Sequence, residues 1–454
     1  MISDHDNSTI AAISTPLGGG AMAVVRLSGK ESLQIIQSLT HRSSFVPRHA
    51  TLCHLYDGKD ILDEVIILYF QAPLSYTRED VCEIQCHGGS VIARRILELV
   101  LAHGARLAQG GEFTKRAFLN GRIDLSQAQA IAQMIEAKSL RAQKALARHL
   151  CGELSEFVSI ARDHLYEALA YSEVMIDYSD EDLPLDLIER LEQKIDAILE
   201  KLEKLLKHSV ARSGVLEGFI LSIVGKPNVG KSSLLNALLA RERAIVSEIA
   251  GTTRDTIEES LNIAGVSVRI IDTAGIRESL DTVERIGIER SKEMIMQSDI
   301  ILALFDASRE WDMEDEEILT LLRETHHKNK TLIVILNKSD LARKLDASKL
   351  EVLKIEPLSL SAKQKEIDSV LMKLEEILSG EDSDEIILSS ANQIQSVQDS
   401  INALKLAKSE LKNGVLELFS YNLKDAIMAI GSITQPYESG ELLDKMFGEF
   451  CLGK

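Results

Sequence analysis

Residues 225–232 read Gly225-Lys226-Pro227-Asn228-Val229-Gly230-Lys231-Ser232, the G-x-x-x-x-G-K-S spacing of a phosphate loop. Its neighbours make this stretch decide the fold. FILSIVG (219–225) has the apolar density of a buried strand, and SLLNALL (233–239) opens a helix. A glycine-rich turn between the two lets backbone N–H groups converge on phosphates, while the lysine adds charge and the serine hydroxyl ligates Mg²⁺. Asn228, Val229, Gly230, Lys231, Ser232 and Ser233 form this cradle. Downstream, SVRIIDT (267–273), DIILALFD (299–306) and TLIVILN (331–337) are strand-like runs separated by helical stretches. This alternation predicts a parallel sheet covered by helices, ending where GEDSDE (380–385) reads as a polar linker.

Two later motifs fall at strand ends, where open α/β sheets bind ligands. In Asp272-Thr273-Ala274-Gly275, the carboxylate suits a Mg²⁺ shell and the glycine N–H suits a γ-phosphate. In Asn337-Lys338-Ser339-Asp340, the Asp340 carboxylate can accept from both N1–H and the 2-amino group of guanine, a donor pair that adenine lacks. Ser361-Ala362-Lys363 is placed to finish the base pocket. Order and spacing resemble those of GTPases as a class. Ras-like enzymes put Gln after the DTAG glycine to orient water. Here that position is Ile276, which cannot hydrogen-bond, so another group must serve. The loop Ile249-Ala250-Gly251-Thr252-Thr253-Arg254-Asp255 suits a switch that closes over the nucleotide, with Thr253 in reach of Mg²⁺. The Asn228 amide, with carbonyls of that loop, could hold a monovalent cation that neutralises transition-state charge. Glu284, in TVERIG, is an acid with a line to the water, although taken alone a solvated helix face is the better reading of it.

The chain has 454 residues, three domains' worth, with 45% hydrophobic and 27% charged residues. No apolar run reaches the length of a membrane helix, and MISDHDNSTI is too polar and acidic for a secretory signal. Five scattered cysteines (Cys53, Cys82, Cys86, Cys151, Cys451) argue against a disulfide framework and for a reducing, cytoplasmic setting. His87 would point away from Cys82 and Cys86 on a strand, which speaks against a metal site there. A net charge of −19 repels nucleic acid at long range, so any contact with RNA needs a local basic patch. Residues 106–148 carry eight basic residues against three acids, and Lys138, Arg141, Lys144 and Arg148 share a helical face that suits tRNA phosphates or an acidic partner. Residues 1–120 read as mixed α/β, with strands at 9–14, 21–27, 64–70 and 81–87 and a helix at 90–104. A long helix is expected from Asp124 to about Leu150. Ile188, Leu191, Ile195, Ile198, Leu202 and Leu205 mark a bundle helix, and helices resume from about Ala391.

At full length the chain resembles the MnmE (TrmE) family of tRNA-modification GTPases. The marks are TIAAISTPLGGGAMAVVRLSG (9–29), EDVCEIQCHGGSVIARRIL (79–97), GEFTKRAFLNGRIDLSQAQAI (111–131), the inserted GKPNVGKSSLLNALL and IAGTTRDT, and Cys451-Leu452-Gly453-Lys454. The resemblance implies a multidomain α/β plus all-α protein: an N-terminal α/β tetrahydrofolate-binding and dimerisation domain (1–121), a helical domain in two parts (122–216 and 381–454), and an inserted Ras-like GTPase domain (217–380). It implies a homodimer through the N-terminal domain and a heterotetramer with the flavoprotein MnmG. Together these add an aminomethyl or carboxymethylaminomethyl group to C5 of the wobble uridine of tRNA, with 5-formyl- or 5,10-methylene-tetrahydrofolate as carrier. GTP hydrolysis to GDP would be K⁺-stimulated, with Asn228, Ser247, Ile249 and Thr252 as K⁺ ligands, Ser232 and Thr253 on Mg²⁺, and Glu284 as the catalytic acid. Glu248, Ala250 and Gly251 would complete the closing loop. Folate contacts would fall to Arg26, Glu83, Arg122 and Lys454, a set whose charges suit glutamate carboxylates and a pterin edge. Cys451 would matter for the modification, as a nucleophile or as a packed thiol. A ribosome-assembly GTPase, or a switch that only recruits partners, are the alternatives.

Overall fold

The structure is a computed structural model and describes residues 8–16, 18–137, 139–177, 187–211, 214, 218–241, 259–271, 292, 295–325, 330–379, 386–435, 446–448, 450 and 453. In chain order its elements are β1 (Ile10–Ile13), β2 (Met22–Ser28), α1 (Ser32–Thr40), β3 (Thr51–Asp57), β4 (Asp60–Phe70), β5 (Val81–His87), α2 (Ser90–Ala102), β6 (Arg106–Leu107), α3 (Glu112–Leu119), α4 (Leu125–Glu136), α5 (Leu140–Leu150), α6 (Glu153–Asp177) and α7 (Leu187–Ala211). Then come β7 (Phe219–Val224), α8 (Lys231–Arg241), β8 (Glu259–Ile263), β9 (Val266–Ile270), β10 (Ile300–Asp306), α9 (Met313–Thr325), β11 (Thr331–Asn337), β12 (Leu358–Leu360), α10 (Asp368–Ser379), α11 (Ala391–Lys412) and α12 (Leu416–Gly431). They form two compact units: Met1–Ile135 with Leu146–Leu206 and Ser390–Lys454, and Glu136–Ala145 with Lys207–Ser389.

In the first unit a six-stranded sheet runs β3-β4-β5-β2-β1-β6, antiparallel throughout except for the β1–β6 pair. Its strands alternate, so Val25, Leu27, Ile67 and Ile84 point to one face, where Ile35 and Ile36 of α1 and Ile96 and Val100 of α2 bury them. The same unit holds a helical layer. On α6 the buried residues Leu154, Val158, Ala161, Leu165, Ala168, Ser172 and Met175 step by three and four, and α12 packs along that seam. Ser172 and Ser420 share a buried hydrogen bond of 2.8 Å between α6 and α12, and α11 packs on α12. Leu191, Ile195, Ile198, Leu202 and Leu205 of α7 are buried as the periodicity predicts, whereas Ile188 at the first turn is exposed. The single helix expected from Asp124 to Leu150 is two helices, α4 and α5. Ser139 caps the second, its hydroxyl accepting from the Ala142 N–H at 3.1 Å, so a good N-cap residue within a run of helix formers ends one helix and starts the next. The chain's far end returns to its beginning within this unit. The Ser14 hydroxyl donates to the Gly453 carbonyl at 3.1 Å, and a Cβ on Gly453 would lie 2.5 Å from the Ile13 carbonyl oxygen.

In the second unit a six-stranded sheet runs β12-β11-β10-β7-β9-β8, parallel except that β8 is antiparallel to β9. Residues Ile300–Asp306 of β10 are buried on both faces, as a central strand covered on both sides requires. Two cores result. Leu221, Ile223, Leu234, Leu238 and Val370 lie on one side of the sheet; Ile301, Phe305, Leu322 and Val334 lie on the other.

Candidate guanine-nucleotide and folate sites

The phosphate loop leaves the carboxyl end of β7, which lies between β10 and β9 in the sheet. Chain order reverses across β7, the position where such sheets open a ligand crevice. Two residues give the loop its shape. Asn228 has φ +60° and Gly230 has φ +107°. A Cβ on Gly230 would sit 2.1 Å from Nδ2 of Asn337, so only glycine fits. Lys231 opens α8, and its ammonium donates to the carbonyls of Gly225 at 2.7 Å and Lys226 at 3.0 Å. Burial pushes Lys231 below the ordinary lysine range, with Glu314 opposing. Ser232 and Ser233 follow on the same helix.

Asn337, Lys338, Asp340, Ser361 and Ala362 lie together, joined by hydrogen bonds. Asn337 is 2% exposed and bridges two loops: Nδ2 donates to the Val229 carbonyl at 2.7 Å and Oδ1 accepts from the Ala362 N–H at 3.0 Å. The Ser361 hydroxyl donates to Asp340 Oδ1 at 2.7 Å, which orients the carboxylate and leaves its second oxygen for a base. Lys363, in the turn that follows, is exposed. Lys338, with φ +65°, donates to the Asn228 carbonyl at 3.0 Å and to Asp306 Oδ2 at 2.6 Å.

Asp306 and a second, partly buried ion cluster carry no signal in the sequence. Lys226 reaches Asp312 and Asp315 with N–O distances of 2.6 Å each. These two carboxylates also cap α9, Asp312 Oδ1 accepting from the Asp315 N–H at 3.1 Å. The D-x-x-D spacing of the cap is a readable helix-start signal, but its lysine partner lies 86 or more residues away and carries none.

Ser247, Glu248, Ile249, Ala250, Gly251, Thr252, Thr253, Asp272, Thr273, Ala274, Gly275 and Glu284 lie outside the described residues, as do Lys138, Cys451 and Lys454.

In the first unit Arg26, Glu83 and Arg122 converge. Arg26 on β2 and Glu83 on β5 are register partners, and the guanidinium meets Glu83 Oε1 at 2.9 Å. The ring of Tyr76 lies 5.4 Å from the Arg26 guanidinium carbon and 4.6 Å from that of Arg122, a cation–π arrangement with two cations on one ring. The Tyr76 hydroxyl bonds Thr114 at 2.9 Å. Tyr76 was not foreseen either; an aromatic in SYTRED carries no signal until the fold brings residues 26 and 122 to it.

The structure also places the basic stripe and the Cys82–Cys86–His87 group. Arg141 donates to the Leu378 carbonyl at 2.8 Å and Arg148 pairs with Glu153 at 2.7 Å, so these members of the basic stripe are engaged within the chain. Cys82 and Cys86 are buried and burial raises both thiols, while His87 turns away to meet Asp63 at 2.6 Å. Among the described residues no cluster of three or more metal-ligating side chains occurs, and no helix is long and apolar enough to cross a membrane.

Comparison with known proteins agrees with this geometry. Residues 9–122 match the family "GTP-binding protein TrmE N-terminus" and residues 125–451 match "MnmE helical domain". The tRNA modification GTPase MnmE of Sulfurovum sp. is 50% identical over 449 residues, covering 98% of this chain and 99% of the relative. Those of Sulfurimonas denitrificans and Wolinella succinogenes are each 52% identical, covering 98% and 100% of this chain and 99% and 100% of their own lengths. The two family matches and this likeness along the whole chain establish that it belongs to the MnmE (TrmE) family of tRNA-modification GTPases.

Proposed function

We propose that this GTPase binds GTP with Mg²⁺ and K⁺ at residues 225–232, 337–340 and 361–363, and couples its hydrolysis to modification of a tRNA wobble uridine. MnmG would be the partner and a tetrahydrofolate the one-carbon carrier. One observation supports the nucleotide part most: Asn337 ties the phosphate loop to the base loop through Val229 and Ala362, so phosphate and base recognition form one unit. The residues fit the ions as well. The missing Cβ at Gly230 gives room to the Asn337 amide that holds the loop's shape, Ser232 would supply a hydroxyl for Mg²⁺, and Asn228 an amide oxygen for K⁺. When bound, the two cations neutralise charge on the transferring phosphoryl group. Lys231 exchanges its carbonyl partners for phosphate, whose negative charge offsets the burial that depresses the lysine before nucleotide arrives. Asp340, held by Ser361, selects guanine. Glu284 orients the attacking water through a hydrogen bond, the task that Ile276 cannot perform. Ser247, Ile249, Thr252 and Thr253 close over the nucleotide and complete the cation shells.

Turnover of GTP measured in KCl and in NaCl tests this reading. The rate in K⁺ should exceed that in Na⁺ by at least about tenfold. Glu284→Ala should lose hydrolysis and keep GTP affinity. Equal rates in the two salts would remove the Asn228 cation site, and normal hydrolysis by Glu284→Ala would remove the acid.

For the carrier, Arg26, Glu83, Arg122 and Lys454 offer cations for glutamate carboxylates and an anion for pterin donors, and the Tyr76 ring is a flat surface already flanked by two guanidinium groups. Titration with 5-formyl-tetrahydrofolate should show saturable binding that Tyr76→Ala weakens about tenfold through loss of an aromatic contact. Binding undisturbed by Tyr76→Ala and by Arg122→Ala would place the carrier elsewhere.

A further inference from the structure

Asp306 has no part in the reading above, yet every oxygen it carries is engaged. It ends β10 directly opposite Asn337 in the β10–β11 register and is 2% exposed. Oδ1 accepts from the Ser308 N–H at 3.0 Å and from the Ser308 hydroxyl at 2.6 Å. Oδ2 accepts from the Lys338 ammonium at 2.6 Å, and Arg309 stands 3.7 Å away. Burial alone would raise this carboxyl, but the hydrogen bonds from Lys338 and Ser308 outweigh it and hold the group below the usual carboxylate range. The same ammonium donates to the Asn228 carbonyl at 3.0 Å. Asn228 and Lys338 both hold positive φ, a conformation that persists only where surrounding contacts enforce it. A lysine stem is rotamer-rich and flexible, so a fixed anion is what gives it a single position.

We propose that Asp306 is a positioning residue for guanine-nucleotide binding: its carboxylate fixes the Lys338 ammonium, and through it the Asn228 carbonyl, so that base loop and phosphate loop keep one spacing before nucleotide arrives. The proposal rests on the reading of residues 225–232 and 337–340 as the nucleotide site. Any substitution that neutralises Asp306 leaves Lys338 without its anchor, and the ordering must then be supplied by the nucleotide itself, at a cost in affinity.

The test is a cycle in the full-length chain, comparing wild type, Asp306→Asn, Lys338→Met and the double variant by calorimetric titration with GDP, by GTP turnover and by thermal melting. Asp306→Asn should weaken GDP about tenfold. It should raise KM for GTP similarly, with kcat within about twofold, because binding and not chemistry depends on Lys338. Added to Lys338→Met, the Asp306→Asn change should cost no further GDP affinity. The double variant should melt above Lys338→Met, which alone leaves a buried carboxylate with only the more distant Arg309 as its cation. Should Asp306→Asn fail to fold, the comparison of Lys338→Met with the double variant decides by itself. Wild-type affinity in Asp306→Asn, or a loss that adds to that of Lys338→Met, overturns the role of Asp306. A wild-type chain that takes up no GDP overturns the nucleotide reading beneath it.

Discussion

Gly230→Ala should abolish measurable GDP binding, with a loss of about 100-fold or more, equivalent to roughly 3 kcal/mol. Two effects combine at this position. The residue sits at φ +107°, where an L side chain is strained. Its new methyl would also stand 2.1 Å from Asn337 Nδ2. Relief requires Asn337 to swing away, which breaks its bonds to Val229 and Ala362 and parts the phosphate loop from the base loop. The effect should appear in calorimetry with GDP while the melting temperature of the first unit is unchanged, since its sheet and bundle contain none of these contacts. GDP affinity within threefold of wild type would show that the loop tolerates a side chain there and that the close approach to Asn337 is not a constraint.

Asp340→Asn should exchange base preference. A site built to receive two guanine donors rejects a base lacking them strongly, because the acceptor that the bound base covers is left unpaired. With an amide at 340, GDP affinity should fall by on the order of a thousandfold, while xanthosine diphosphate, which presents an acceptor where guanine has its amino group, should gain. The Ser361 hydroxyl, 2.7 Å from Oδ1 in the wild-type chain, can still donate to the amide oxygen, which leaves the NH₂ facing the base. Competition between the two nucleotides measures the exchange. Loss of GDP without gain of the xanthine nucleotide would assign Asp340 a loop-bracing role rather than a reading role.

Much of the second unit was legible because its chemistry lies in contiguous motifs. Residues 225–232, 337–340 and 361–363 carry their meaning in fixed spacing, and β7, β10 and β11 are unbroken apolar runs. Asp306 was not legible, for it is one acid at the end of such a run and acquires a role only through register with Asn337. Tyr76 depends on residues about fifty positions away on either side. In the first unit β3 escaped notice because it is a half-exposed hairpin arm, TLCHLYD turning at Gly58 into β4, whose alternation is diluted by polar residues. Helix breaks proved harder to read than helix faces. The periodic seam of α7 was plain, whereas the break before α5 turned on the single cap Ser139. The basic stripe shows a complementary limit: charge spacing places Arg141 and Arg148 on one face, but partners supplied by Leu378 and Glu153 decide whether that face has cations to offer.

The first unit is assembled from three stretches of chain, and its helical layer includes α11 and α12 from the third. During synthesis the ribosome must therefore emit residues 207–389 after most of α7 has emerged and before α12, which packs along α6, exists. At about 5–20 residues per second this interval is on the order of ten to forty seconds. The apolar seam of α6 stays open throughout, while the intervening sheet has time to fold as a self-contained body. Nascent chains stalled before residue 390 should accordingly be the forms that chaperones hold most tightly.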